Sequence, residues 1–114
     1  MAVTPRKLSA STNGRGILLG TGPTLLHTSV TGTGASVFDE VYIWVASFAT
    51  LSRVVTFYLG TTGSSDRLID TVSPRSGFYQ MVPGLRLAGG SPIQASTTSP
   101  GGVVTAYGIV NRNA

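Results

Sequence analysis

Apolar and polar residues alternate over short stretches of this chain, a pattern typical of β-strands rather than helices. Turns rich in Gly, Pro and Ser separate eight such stretches: 16–20, 24–30, 40–48, 53–59, 67–73, 77–82, 92–97 and 102–110. No window carries the apolar spacing of an amphipathic helix. The pattern therefore predicts an all-β protein with a single-domain β-sandwich over residues 16–114, for which an eight-stranded jelly roll is the leading candidate.

Several of these predicted strands are apolar on both faces. Val41, Ile43 and Val45 point to one side of their strand, while Tyr42 and Trp44 point to the other. One sandwich core uses only one side of each sheet, so the second apolar side needs a partner outside the fold. An oligomer built through the sheet faces is the simplest answer. The candidate subunit-interface residues are Tyr42, Trp44, Tyr58 and Tyr107. For each of them, a position in the core of the domain is an equally weighted alternative.

The first fifteen residues have a different composition. They hold Pro5, several Ser and Thr residues and few large apolar groups, which predicts an extended N-terminal arm over residues 1–15. Arg6, Lys7 and Arg15 lie in this arm and supply three units of the formal net charge of +4. The arm is ambiguous between a solvated tail, a contact with phosphates and a clamp on an acidic protein surface.

Charge is sparse in the rest of the chain. Charged residues make up 11% of the sequence, against about 25% in a typical soluble domain. Because the centres of protein interfaces are depleted in charge, this composition suits a protein that packs against others. There is no cysteine, which excludes disulfides and thiolate metal sites. No apolar run is long enough to cross a bilayer and no signal-peptide core is visible, so we expect a soluble protein made in a cytoplasm.

Candidate chemistry is thin. His27 is the only histidine and has no nucleophile near it in sequence, so a satisfied structural role is expected. The four acids carry no cation-loop signature and are expected to keep strand ends hydrated, pairing with Arg53 or Arg67. The glycine-rich segments lack the ending of a phosphate loop and indicate hairpin turns. We therefore expect no catalytic residues, no metal, no cofactor and no enzymatic activity.

Nucleic-acid binding is disfavoured by the placement of the aromatic residues. A single-strand binder sets its aromatic rings among Lys and Arg side chains on one surface. Here the strands that carry the candidate stacking residues, Tyr42, Trp44, Tyr58 and Tyr79, are almost free of cations. These rings are therefore assigned to the core or to an interface rather than to base stacking.

Five segments resemble a group of small tailed-bacteriophage proteins. They are Lys-Leu-Ser-Ala-Ser-Thr-x-Gly-Arg-Gly at 7–16, Asp-Glu-Val-Tyr-Ile-Trp at 39–44, Leu-Gly-Thr-Thr at 59–62, Val-Pro-Gly-Leu-x-Leu at 82–87 and Tyr-Gly-x-Val-Asn-Arg at 107–112. The resemblance spans nearly the whole chain, and its motifs are structural rather than catalytic. It implies a virion component, namely a capsid decoration or cement protein with a β-sandwich fold.

This resemblance and the residue patterns lead to one set of expectations. The protein would lie on the outer surface of the phage head after assembly in the bacterial cytoplasm, and would stabilise the shell by bridging capsomers. Its partners would be the major capsid protein and further copies of itself, with a closed trimer as a natural symmetric solution. No membrane partner is expected. The candidate capsid-docking residues are Arg6, Lys7, Leu8 and Arg15.

Two alternatives from other classes stay open. One is a head-fibre, neck or tail adsorption module that binds a host glycan through aromatic residues at loop tips. The other, less favoured, is a nucleic-acid-binding protein inside the shell, whose arm would carry a salt-dependent affinity for DNA.

Overall fold

The computed structural model describes residues 3–32, 34–61, 63–75, 77–98 and 101–114. The prediction of an all-β protein is confirmed: the described residues form nine strands and one 3₁₀ turn, Ser64–Asp66, but no α-helix. The strands are β1 (Val3–Lys7), β2 (Ile17–Leu18), β3 (Thr24–Thr28), β4 (Phe38–Ser47), β5 (Arg53–Leu59), β6 (Arg67–Val72), β7 (Tyr79–Leu87), β8 (Pro92–Thr97) and β9 (Val104–Asn113).

The strands form two antiparallel sheets. Sheet A has the order β1-β9-β4-β7, and the short β2 pairs with β9 on the same edge as β1. Sheet B has the order β3-β8-β5-β6. The chain crosses repeatedly between the sheets, because β4, β7 and β9 belong to sheet A while the strands between them belong to sheet B. This arrangement is compatible with a β-sandwich.

The core is built by the alternation that the sequence shows. In β4 the side chains of Val41, Ile43 and Val45 are completely buried, and those of the intervening residues are half-buried on the opposite face. In β5 the inward residues are Val55 and Phe57, which face the same core from sheet B. Burial of one such aliphatic or aromatic side chain contributes roughly 1.5–3 kcal/mol. The alternation thus fixes which face of each sheet is internal.

The segment expected to form an arm lies along the edge of sheet A. Strand β1 pairs with the last residues of β9, from Val3 opposite Asn113 to Lys7 opposite Ile109. Pro5 fits here because an edge strand does not need every N–H for its ladder. The nine strands include β1, which lies within the predicted arm, and the eight predicted stretches overlap β2 to β9. Detachment of this segment to strap a neighbouring protein stays a prediction.

Leu8 anchors the end of β1. Its side chain is completely buried in the core. It packs against Gly108 of β9, where an added Cβ would lie 3.0 Å from both Leu8 methyl groups and 2.7 Å from the Tyr42 carbonyl oxygen. The close approach at residue 108 therefore requires glycine, and it holds the chain after β1 against the sandwich.

Candidate binding surfaces

The outer face of sheet A carries an aromatic groove lined by Gly14, Trp44, Phe78, Tyr107, Gly108 and Ile109, with a volume of about 220 Å³. Trp44 of β4 lies directly opposite Tyr107 of β9, so both rings project from the same face. Phe78 meets Tyr107 edge to face, with 4.9 Å between ring centroids. Phe78 and Ile109 are exposed by 70% and 50%. Two of the four predicted interface residues therefore share one apolar groove.

The groove also has polar groups that are free to bind. Neither the Trp44 indole N–H nor the Tyr107 hydroxyl has a hydrogen-bond partner among the residues that the structure describes. Both residues are only half-buried, so water reaches these groups in the isolated chain. An apolar groove with a few unpaired polar groups is a common form of binding site.

Tyr42 lies on the same face but is committed to its own sheet. Its hydroxyl donates to Glu40 Oε1 at 2.7 Å, and its ring covers Gly84 of β7. This hydrogen bond raises the pKa of Tyr42 and lowers that of Glu40, whose other oxygen lies 3.4 Å from Arg86 Nε. The Tyr42 hydroxyl is therefore not free to bind a partner, and its ring packs on the neighbouring strand β7.

Tyr58 is on the other side of the molecule. It projects from the outer face of sheet B, where Arg67 lies 5.6 Å from its ring centroid and Ser96 Oγ lies 3.4 Å from its hydroxyl. The structure thus brings Tyr42, Trp44 and Tyr107 together and separates Tyr58 from them by the full thickness of the sandwich. Alternation along each strand cannot reveal this, because it does not say which sheet a strand joins.

The predicted docking residues also divide. Arg6 and Lys7 of β1 are exposed and adjoin one cavity, whereas Leu8 is internal and offers no surface in this conformation. Arg15 is exposed in the loop before β2 and does not line that cavity. The Arg6 guanidinium has no partner among the described residues. Lys7 Nζ has only a 3.5 Å contact with the Leu8 carbonyl oxygen.

A buried polar cluster of His27, Asp39 and Arg112 lies behind this cavity and was missed by the sequence interpretation. Asp39 is completely buried. One of its carboxylate oxygens accepts from Arg112 Nε at 2.8 Å, and the other accepts from His27 Nε2 at 2.8 Å and Arg112 Nη2 at 2.9 Å. The Val30 backbone N–H also donates to it, at 3.0 Å. The expectation that Asp39 keeps a strand end hydrated is therefore wrong.

The cluster favours an ionised Asp39 and fixes which ring nitrogen of His27 faces it. Burial alone would raise the pKa of Asp39, but the hydrogen bonds from Arg112 and His27 outweigh it and hold that pKa below its ordinary value. The carboxylate in turn raises the pKa of Arg112. His27 Nδ1 accepts the Ser9 N–H at 3.0 Å, so the proton of the neutral ring lies on Nε2 and points at Asp39. His27 is thus buried with both ring nitrogens hydrogen-bonded, which agrees with the satisfied structural role expected for it.

Ser9, His27 and Asp39 contain the residue types of a catalytic triad but not its geometry. In a triad the imidazole nitrogen remote from the carboxylate accepts the hydroxyl proton of the nucleophile. Here that nitrogen accepts the Ser9 backbone N–H, and the Ser9 hydroxyl oxygen accepts the Thr28 N–H at 2.8 Å. His27 has no free nitrogen with which to act as a base.

The remaining carboxylates are also engaged. Asp70 of β6 accepts from the Tyr79 hydroxyl of β7, which links the edges of the two sheets, lowers the pKa of Asp70 and raises that of Tyr79. Asp66 accepts from Thr61. Across the described ranges, no group of three or more His, Asp or Glu side chains is placed to hold a metal ion.

Comparison with protein-family models, with curated proteins and with solved structures found no match to this chain. Within the described part of the chain, no helix is long and apolar enough to cross a membrane. The case for a function therefore depends on the surfaces described above.

Proposed function

We propose that this chain is a bacteriophage capsid decoration protein, which binds the outside of the head shell as an oligomer and stabilises it by bridging capsomers. The observation that carries the proposal is the outer face of sheet A, where an apolar aromatic groove lies beside the unpaired cations of β1. A contiguous exposed apolar face usually marks a protein interface, and cations at its border suit an acidic partner surface.

The strand order supports a jelly roll as the fold of this proposal. Strands β1 and β2 follow each other along one edge of β9, so they are equivalent to a single interrupted edge strand. Counted in this way, the sandwich has two four-stranded sheets, and apart from the β5–β6 hairpin successive strands alternate between them, as in the double-sheet jelly rolls of viral capsid domains.

The aromatic groove is assigned to subunit contacts, in a closed trimer that would sit at a three-fold position of the shell. Trp44 and Tyr107 are suited to this role because large aromatic side chains in apolar pockets contribute most of the affinity in many interfaces. Tyr42 forms the border of the contact through its bond with Glu40. Tyr58 falls outside it, on the outer face of sheet B.

The test combines light scattering with cosedimentation on expanded capsids of the phage that encodes the chain. We expect a mass three times that of the 11.8 kDa chain and a number of copies per capsid that matches the three-fold sites. Trp44→Ala should weaken self-association by more than about tenfold, since loss of a central interface aromatic typically costs at least 2 kcal/mol. Tyr58→Ala is the matched control and should leave the mass unchanged.

Deletion of residues 1–15 would not be a clean test of docking, because it would also remove Leu8 from the core. Point variants at exposed positions avoid this difficulty. A monomer that does not sediment with capsids would overturn the proposal.

A second candidate, the glycan-binding adsorption module, is favoured by one observation. The unpaired Trp44 N–H and Tyr107 hydroxyl border an aromatic surface on which a sugar ring could stack. Trp44 is the only tryptophan, so its fluorescence reports on the groove directly. Saturable quenching or a spectral shift by host surface glycans, with no capsid binding, would favour this candidate over decoration.

A further inference from the structure

We infer that the cavity between β1, β3 and β9 is a binding site for a carboxylate side chain of a partner protein. The cavity is lined by Arg6, Lys7, Ser9, His27 and Arg112 and has a volume of about 250 Å³, enough for one small anionic group. We call it the basic cavity. Its assignment to a protein partner rests on the proposed function, whereas the anion-binding chemistry follows from the walls alone.

The walls of the basic cavity offer hydrogen-bond donors. The Arg6 guanidinium has no partner among the described residues, and the Lys7 ammonium has only one long contact. The Ser9 hydroxyl oxygen already accepts the Thr28 N–H, which leaves the hydroxyl proton to be donated. Arg112 uses Nε and Nη2 on Asp39 and keeps Nη1. A carboxylate can accept all of these bonds, and charge-assisted bonds of this kind are among the strongest in proteins.

The deeper groups hold these donors in place. Asp39 fixes Arg112 by two parallel hydrogen bonds, so the guanidinium cannot turn away from the cavity. Both ring nitrogens of His27 are engaged, one with the Ser9 N–H and the other with Asp39, so the ring forms a fixed wall of the cavity. The cavity is lined by three cations, Arg6, Lys7 and Arg112, and only Arg112 is paired with an acid, Asp39. Two positive charges are therefore not compensated.

Among the described residues, the three other acidic side chains are all engaged away from the cavity. Glu40 is bonded to Tyr42 and Arg86 on the outer face of sheet A. Asp66 is bonded to Thr61, and Asp70 to Tyr79, both away from β1. The occupant that we assign to the cavity is therefore a carboxylate of another molecule.

The surroundings favour a protein carboxylate over a nucleic-acid phosphate. A nucleic-acid strand presents successive phosphates and is usually tracked by a groove lined with several cations. Beside the basic cavity, on the outer side of β1, lies a hollow of about 370 Å³ that shares Arg6 and Lys7 with the cavity and is otherwise walled by Pro5, Gly14, Gly108 and Ile109. The same two cations border both spaces, and the hollow adds no further cation, so the surface matches a single Asp or Glu flanked by apolar side chains better than a row of phosphates.

The test uses His27 as a reporter, because it is the only histidine and forms a wall of the cavity. Its imidazole signals are followed by NMR while poly-L-glutamate is added at constant ionic strength. We expect a saturable shift, and a binding at least tenfold weaker in the double variant Arg6→Gln, Lys7→Gln. The matched control is Arg15→Gln, Arg75→Gln, which removes the same charge from two exposed residues outside the cavity and should change the affinity less than twofold.

Three outcomes would overturn the inference. The His27 signals could stay unmoved by poly-L-glutamate, or the control variant could lose as much affinity as the cavity variant, which would indicate net charge alone. In the third outcome, oligothymidylate would move the same signals at lower concentration than poly-L-glutamate, which would assign the cavity to nucleic acid.

Capsid cosedimentation separates this inference from the proposed function. If the Arg6→Gln, Lys7→Gln variant still binds capsids at full occupancy, the cavity is not the docking site and decoration stands. If the wild-type chain ignores capsids while poly-L-glutamate moves the His27 signals, decoration fails and the carboxylate site stands.

Discussion

The two ends of the sandwich treat buried charge in opposite ways. At the end where β4 begins, Asp39 accepts hydrogen bonds from His27, Arg112 and the Val30 backbone. At the other end, after the loop that follows β4, Arg53 is 9% exposed and its Nε is buried without a partner. Its one hydrogen bond within the described residues joins Nη1 to the Ser52 carbonyl oxygen at 3.3 Å. The hydroxyl of Thr97, which belongs to the Arg53 end, is also buried without a partner.

The difference shows that burial of polar groups stabilises the fold at the Asp39 end and destabilises it at the Arg53 end. A buried charge is tolerated when its partners compensate for the lost hydration, and it is costly when they are missing. The Asp39 end ties together β3, β4, β9 and the segment after β1, so it also shapes the basic cavity. Arg53, by contrast, bonds only to the neighbouring Ser52 carbonyl oxygen, so its buried Nε carries an uncompensated cost.

The largest effect should come from breaking the paired end with Asp39→Ala. This change leaves Arg112 and His27 without their acceptor inside the protein. Removing one partner of a buried ion pair typically costs about 3–5 kcal/mol, and the free energy of unfolding in urea should fall by that amount. The control is Asp70→Ala, which removes an acid from the sheet edge and should shift the urea midpoint much less.

A loss below about 1 kcal/mol for Asp39→Ala would contradict this expectation, since that is the range of exposed ion pairs. It would mean that water replaces the carboxylate, and that the paired end is no better organised than the Arg53 end.

Much of the fold could be predicted from alternation alone. The grouping of Val41, Ile43 and Val45 on one face, and the all-β class, depend only on the period of the sequence and on the turn residues. Assignment of strands to sheets could not be predicted, because it depends on pairings between distant segments. Asp39 and Arg112, for example, become neighbours only when β4 pairs with β9.

The polar cluster was hidden for a local reason as well. A register shift between Leu25 and His27 in β3 turns both Leu26 and His27 inward. A strict alternation would place these two consecutive residues on opposite faces. An acid at a strand start and a lone histidine in a strand therefore gave no sign that they would meet. The unpaired cations of β1, by contrast, were visible in the sequence as a basic segment.

A smaller effect is expected from acid, acting on the paired end. Because the pKa of Asp39 lies below its unfolded value, the unfolded chain binds a proton more readily than the folded one. The stability from Asp39 is thus fully present above about pH 4 and is lost as the pH falls through the folded-state pKa. Urea midpoints measured from pH 7 to pH 2.5 should decline in this acid range.

Glu40 and Asp70, whose pKa values are also lowered, contribute to the same decline. In Asp39→Asn the slope below about pH 4 should be shallower than in the wild type, and shallower than in Asp70→Asn. Equal slopes in all three proteins would show that Asp39 does not carry the acid sensitivity, and that the buried cluster is not distinguished from surface acids.

The smallest effect should come from relieving the unpaired end with Arg53→Met. Methionine keeps much of the length of the arginine stem and removes a buried donor that lacks an acceptor. An unsatisfied buried polar group costs about 1–3 kcal/mol, so we expect a gain of about 1 kcal/mol in the free energy of unfolding after some loss of packing. Arg75→Met is the matched control, because it removes the same charge from an exposed residue in the turn after β6.

If Arg53→Met instead destabilised the protein while Arg75→Met did not, the Arg53 guanidinium would have a partner in solution. The two ends would then both be compensated, one by the chain itself and the other by water or a bound anion.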